Sequence, residues 1–211
     1  MQSRYFLAFI VSILSIGSMN LHAAPHCGEL KIAGGYGPFD YTNAEHKLDK
    51  LPVVEAHHFT PNIEKLRHGN SGPLGAELAY TLHAFPNHHR ALSAMSKLAL
   101  RDKTLKPEGS SRSVLCFFDR AIRFKPDDGM ARMLYGDYLL KSGQPNDAAE
   151  QLRIAAALEP ENPNINYNLG LLYMQKKDYE QARAYAKKAY DLGFPLPGLK
   201  NQLMRAGKWE D

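Results

Sequence analysis

The chain has 211 residues, with 26 Lys and Arg against 22 Asp and Glu, for a formal net charge of +4. The length suits one medium domain with an extension. So mild a charge, with both signs interspersed, excludes the basic stripe of a nucleic-acid binder, and no stretch after residue 23 approaches 18 apolar residues, so no membrane span is expected in a processed chain.

Residues 1–23 read as a secretory signal. Arg4 supplies the positive start, Tyr5 to Ile16 is almost wholly apolar, and "LHAAP" places small residues where a signal peptidase cuts, after Ala23. Ala24, Pro25 and His26 precede Cys27 and form no lipoprotein acylation box. The expected location is the periplasm or outside the cell. Both cysteines, Cys27 and Cys116, survive this cleavage and are expected to pair in an oxidising compartment.

Residues 24–72 form an extension expected to be irregular. "AGGYGPFDYTN" reads as a turn-rich extended segment. "LPVVEAHHF", with its β-branched residues, reads as a strand or a buried extended run. "TPNIEKLRHG" is predicted to be a short helix with Thr60 as N-cap and Pro61 in the first turn, and "AELAYTLHAF" a helix leading into the repetitive region. The extension is expected to seal one end of that helical region.

The stretch "AFPNHHRAL" carries adjacent histidines. Asn87 is the expected N-cap of the next helix, which puts His88 and His89 in its first turn. Adjacent helical residues point about 100° apart, whereas chelation from one helix needs positions i and i+4. All nine histidines nevertheless lie between His22 and His89, so a metal- or haem-binding protein is the alternative reading, with His57, His58, His88 and His89 as candidate ligands. No C-x-x-C-H is present for covalent haem attachment. No cofactor is expected on the favoured reading.

From residue 73 to 211 the pattern is helical and repetitive. Gly136 and Gly170 lie 34 residues apart, and Ala148 with Ala182, Ala155 with Ala189, and Leu158 with Leu192 recur in step. Asn162 before Pro163 starts one helix and Gly143 ends another. A weaker copy runs back through "SSRSVLCFFDRAIRFKPDD", whose helix is expected to begin near Ser110 or Ser111 after the enlarged turn "DKTLKPEGS". Pro86, Pro126, Pro160 and Pro195 mark the ends. The expected units are therefore 87–126, 129–162 and 163–195, closed by a capping helix over 196–207.

Leu169, Gly170, Tyr173, Tyr179, Ala182 and Ala189, with Gly136, Ala148, Ala155 and Pro160 in the preceding copy, resemble the tetratricopeptide repeat. Asn166 and Arg132 depart from it, standing where the family often has Trp, and Pro145 opens a second helix. The resemblance implies an all-α antiparallel helix-hairpin solenoid, here with an irregular N-terminal extension. It also implies a concave face made by the first helix of each repeat. By that register the face comprises Met130, Met133, Asp137, Leu140 and Lys141 in one repeat. In the next it comprises Asn164, Tyr167, Asn168, Leu171, Met174 and Gln175. The family's Lys/Asn clamp for C-terminal carboxylates is missing, since Met133, Asp137, Tyr167 and Leu171 occupy its positions.

No catalytic spacing is present: neither G-x-S-x-G nor a phosphate-cradling G-x-x-x-x-G-K-[ST] occurs, and the glycines at 34, 35 and 37 lack a strand–helix setting. Asp40 or Glu55 beside His57 could serve as acid and base, but acid–histidine neighbours are common by chance. The sequence therefore points to a non-enzymatic exported scaffold that binds a protein or peptide in the bacterial cell envelope.

Overall fold

The computed structural model describes residues 27–31 and 35–210. The leader at 1–23, with His22, and the histidine at 26 fall outside them. Among the described residues the regular structure is helical throughout, and no helix is long and apolar enough to cross a membrane. The chain is all-α: a succession of helix pairs preceded by shorter helices.

Three helix pairs follow one another along the chain. They are α5 (His89–Arg101) with α6 (Val114–Phe124), α7 (Gly129–Lys141) with α8 (Pro145–Leu158), and α9 (Pro163–Gln175) with α10 (Tyr179–Asp191), followed by α11 (Gly198–Arg205). The helices α5, α7, α9 and α11 pack one against the next as a layer; α6, α8 and α10 form a second layer, each in contact with the two first-layer helices flanking it. Small residues permit the close approach. A Cβ on Gly136 would lie 2.6 Å from Leu152 Cγ, and Ala148, Ala155, Ala182, Ala186 and Ala189 are all fully buried. At Gly170 the tightest neighbour is Leu199 Cδ2 of α11, at 2.4 Å, ahead of the Ala182 carbonyl in its own pair. That glycine thus sets the approach of the capping helix as much as the spacing within its hairpin.

The helix ends follow the residues. Asn162 caps α9 by accepting from the Asn164 and Ile165 amides, Asp178 caps α10, and Gly143 takes φ +81° after α7. Two starts differ from expectation. Helix α6 begins at Val114, with Ser113 accepting from the Cys116 amide, because Ser110 instead turns its hydroxyl onto the Arg112 carbonyl. Helix α5 is capped by His88, whose Nδ1 accepts from the Ala91 amide at 3.1 Å; Asn87 is one residue too early, its side chain committed elsewhere. The enlarged turn between α5 and α6 lies on the start of α4 (Leu74–Ala84), where Gly75 leaves room for the Glu108 carbonyl: a Cβ there would be 2.3 Å away.

The extension is more helical than its composition implied. It contains α1 (Ala44–Asp49), α2 (Leu51–His58) and the single turn α3 (Pro61–Glu64). "LPVVEAHHF" is helix α2, not a strand. Pro52 sits in its first turn, and Leu51 and Val54, three residues apart, bury one face against Ala84 and Phe85. That one-sided burial outweighs the β preference of two adjacent valines. Thr60 stands at the N-cap position of α3, although its side chain makes no capping bond.

Ahead of these helices, an extended strap is fastened to α6. Cys27 and Cys116 form a disulfide across 89 residues. The fully buried Arg120 donates to the carbonyls of Glu29 and Leu30, and Arg123 donates to that of Gly28 at 2.9 Å. Further along, Phe39 N–H donates to the Ala84 carbonyl.

Candidate partner-binding face

The first-layer helices α7 and α9 carry the positions named from the sequence, and the structure distributes them unevenly. Met133 is buried, at 5% exposure. Its sulfur accepts from Asn168 Nδ2 at 3.2 Å, and the same amide donates to the Asn164 carbonyl at 2.9 Å. Met130 is half-buried, and its sulfur accepts from Asn162 Nδ2 at 3.3 Å. These two thioether–amide contacts join α7 to α9. Leu140 is buried, while Gln175 is exposed.

Tyr167, Leu171 and Met174 are half-buried and pack toward α10 and α11, around a core of Ala182, Ala186, Leu199 and Leu203. The Tyr167 ring stacks on Phe194 with centroids 3.9 Å apart, and burial, followed by Tyr190, raises its phenol pKa. Asn164 is exposed, and Asp137 holds Lys141 in an i,i+4 ion pair at 2.7 Å. The accessible remainder is small and close to neutral: carboxamides, one ion pair, a phenol edge and thioether. It is a surface for hydrogen bonds and shape, with no cationic clamp for a carboxylate.

The histidines are placed separately, each against its own carboxylate. His58 Nδ1 lies 2.7 Å from Glu77 Oε2, His88 Nε2 3.0 Å from Glu55 Oε1, and His89 Nε2 2.9 Å from Asp128. His57 is exposed, with its ring 6.5 Å from that of His58. Among the described residues no three His, Cys, Asp or Glu side chains gather around a common point suited to a metal. His88 is fully buried and accepts at Nδ1 as a helix cap, which fixes its proton on Nε2, facing Glu55. Burial lowers its pKa, with Glu55 pulling the other way. Asp40 and Glu55, the acids suggested for His57, are engaged with Asn87 and with His88 and Arg90.

Sequence reasoning missed the hub of this region. Asn87 is completely buried; its oxygen accepts from the Tyr41 amide at 2.9 Å, and its nitrogen donates to Asp40 at 2.8 Å and Asp128 at 2.9 Å. Asp128 in turn caps α7 through the Ala131 amide; desolvation opposes its charge, but His89 first, then the Ala131 and Asn87 donors, outweigh it, so its pKa is lowered. One amide thereby ties the extension, the start of α5 and the start of α7 together. Its partners are 41 to 47 residues distant in sequence, and no local pattern announces them.

Residues 133–193, spanning α7 to α10, match the family model of the tetratricopeptide repeat. That segment is a tetratricopeptide-repeat region. Among solved structures, one titled "Functional Characterization of Pseudomonas Aeruginosa pilF" is 19% identical over 77% of this chain and 70% of that one, with a TM-score of 0.53. At that identity it shares the repeat fold and nothing more is carried from it. A second, titled "MamA MSR-1 C2", is 16% identical over 67% of this chain and 74% of that one, with a TM-score of 0.44. No match is found among curated proteins. The matched tetratricopeptide-repeat segment accounts for most of α7 and α8 and for α9 and α10.

Proposed function

We propose that this chain is an exported, non-catalytic scaffold that binds a protein or peptide partner in the bacterial cell envelope through the first-layer face of α7 and α9. The observation that carries the reading is the layered helix stack itself. What supports that face is that Asn164 and Lys141 are exposed on adjoining helices, with Asn168, Tyr167 and Asp137 half-buried and Tyr167 packed from behind. Tetratricopeptide-repeat domains bind proteins or peptides as a class. Export is supported by the apolar leader read from residues 1–23 and by the disulfide, which persists in oxidising compartments.

The test is crosslinking with mass spectrometry in intact cells, comparing the natural chain with Asn164→Glu and Lys141→Glu, both at exposed positions. The expected result is a protein crosslinked to α7 and α9 and lost in both variants, from a periplasmic chain beginning at Ala24. A cytoplasmic chain that keeps its leader would overturn the export reading. Crosslinks that persist in both variants would overturn the assigned face.

A further inference from the structure

The chain leaves a second surface unpartnered, outside the repeats of α7 to α10. Three of its exposed large hydrophobics, Tyr36 (42%), Val53 (48%) and Tyr80 (43%), line a single cleft with Val54, His57 and His58. Tyr36 and Tyr80 also line a second hollow, together with Leu30, Pro38 and His83. Each hollow is about 180 Å³, smaller than the ~300–1,000 Å³ clefts that engulf a small-molecule ligand. Two small hollows sharing a wall of rings suit successive side chains of an extended chain, whose same-face residues repeat at roughly 7 Å.

Both rings are braced from behind. Tyr80 stacks on His58 with centroids 3.8 Å apart, and His58 is held by Glu77, itself fixed by the amides of Asn70 and Ser71. Tyr36 meets Phe39 edge-on at 4.9 Å, and Phe39 lies against the fully buried Phe85. Rings held this way lose little freedom when a partner docks, which is what makes tyrosines efficient anchors.

Charge narrows the occupant. The second hollow ends at His83, which lies beside Arg120 and Arg112 and contacts Ser111 Oγ at 3.3 Å. Arg123 is also near Arg120, and the one carboxylate acting on that group, Asp119, is already paired with Arg123 at 2.8 Å. The buried Nε atoms of Arg112 and Arg120 have no acceptor among the described residues. Before Asp40 the sequence holds a single acid, Glu29. The hollow is therefore apolar at its mouth and electropositive at its His83 end.

We propose that this cleft docks an extended segment of a partner protein, placing a proline or aromatic side chain between Tyr36 and Tyr80 and an acidic side chain toward His83 and Arg112. This contact is separate from the face of α7 and α9, so the two can fail independently.

The experiment selects a displayed random dodecapeptide library on the purified full chain, then measures the enriched peptides, made synthetically and labelled, by fluorescence anisotropy. The expected peptides carry Asp or Glu within three residues of Pro, Phe, Tyr or Trp. Affinity should fall about tenfold or more in Tyr80→Ala and in Val53→Arg, whose exposed side chain blocks the cleft without entering the core. Replacing the peptide's acid with Lys should cost a similar factor, and Asn164→Glu on the repeat face should change nothing. Failure to enrich any peptide, peptides that bind Val53→Arg as well as the natural chain, or indifference to the acid-to-Lys exchange would each overturn the proposal.

Discussion

Replacing Gly136 with Ala tests whether the repeat stack is limited by close approach of helix axes. The added Cβ would sit 2.6 Å from Leu152 Cγ and 2.9 Å from its Cδ2, with the Ala148 carbonyl at 3.4 Å. Carbon–carbon contacts rest at ~3.5–4.0 Å, so about 1 Å must be found. Leu152 is fully buried in the α7–α9 core, and the clash is with its branch carbon, not with a mobile tip. Overpacking of this kind costs about 1–3 kcal/mol, while Ala in place of Gly in a helix returns up to about 1 kcal/mol. The expected net loss is about 1 kcal/mol, or roughly 2–4 °C in melting temperature for a chain of this size. Urea unfolding of four proteins measures it: the natural chain, Gly136→Ala, Leu152→Ala and the double variant. Leu152→Ala alone should cost about 2–5 kcal/mol by opening a cavity. In the double variant the new methyl partly fills that cavity, so the combined loss should fall below the sum by about 1 kcal/mol. Gly143→Ala is the control: its Cβ meets nothing within 4 Å, and its cost of about 1–2 kcal/mol comes from φ +81° alone, independent of Leu152. A Gly136→Ala chain at least as stable as the natural one, with strictly additive losses in the double variant, would refute the reasoning.

Reduction of Cys27–Cys116, or its replacement by two alanines, should destabilise the chain by up to about 4–5 kcal/mol, since the bond closes an 89-residue separation. Thermal unfolding with and without reductant checks this, and hydrogen exchange should show protection lost first at Arg120 and the strap it holds. Acid sensitivity should begin above the carboxylate range. Burial, then Arg120 and Arg112, lower the His83 pKa from 6.5 to about 4, so the folded chain refuses a proton that the unfolded chain accepts. That contribution is whole above pH 6.5 and lost as pH falls toward 4; His83 is partly exposed, which limits it to about 1–2 kcal/mol. Melting temperature should therefore be flat above pH 7 and decline below 6.5, and His83→Gln should remove the part of the decline between 6.5 and 4.5. Superimposable curves for the two proteins would contradict the assignment.

The repeat stack was legible because its determinants are local and recurrent. Gly136 faces the Ala148 carbonyl as Gly170, 34 residues on, faces that of Ala182, and the recurrence shows in the letters. The pairing of Cys27 with Cys116 was legible because only two cysteines exist. The register placed residues on α7 and α9 without deciding which of them are accessible. Met133 is buried in the core between α7 and α9, and Tyr167, Leu171 and Met174 are packed toward α10 and α11; the second depends on α11 and Phe194 folding back, which the register alone does not specify.

The N-terminal half was read least well. The valines of α2 suggested a strand, and only the apolar face of Ala84 and Phe85 turns that segment into a helix. Asn87 looked like a cap, whereas Asp40, Tyr41 and Asp128 claim its amide and pass the capping role to His88. Arg120 gave no sign that it would be buried against the carbonyls of Glu29 and Leu30. What the amino-acid order determined by itself was the set of helix pairs, because hydrogen bonds and side-chain contacts within and between adjacent helices span few residues and repeat. What tertiary structure alone decided was how the strap, α2 and α4 close over the stack and leave the Tyr36–Tyr80 cleft open. Those contacts join single residues tens of positions apart, each made once, so they leave no periodic trace to read.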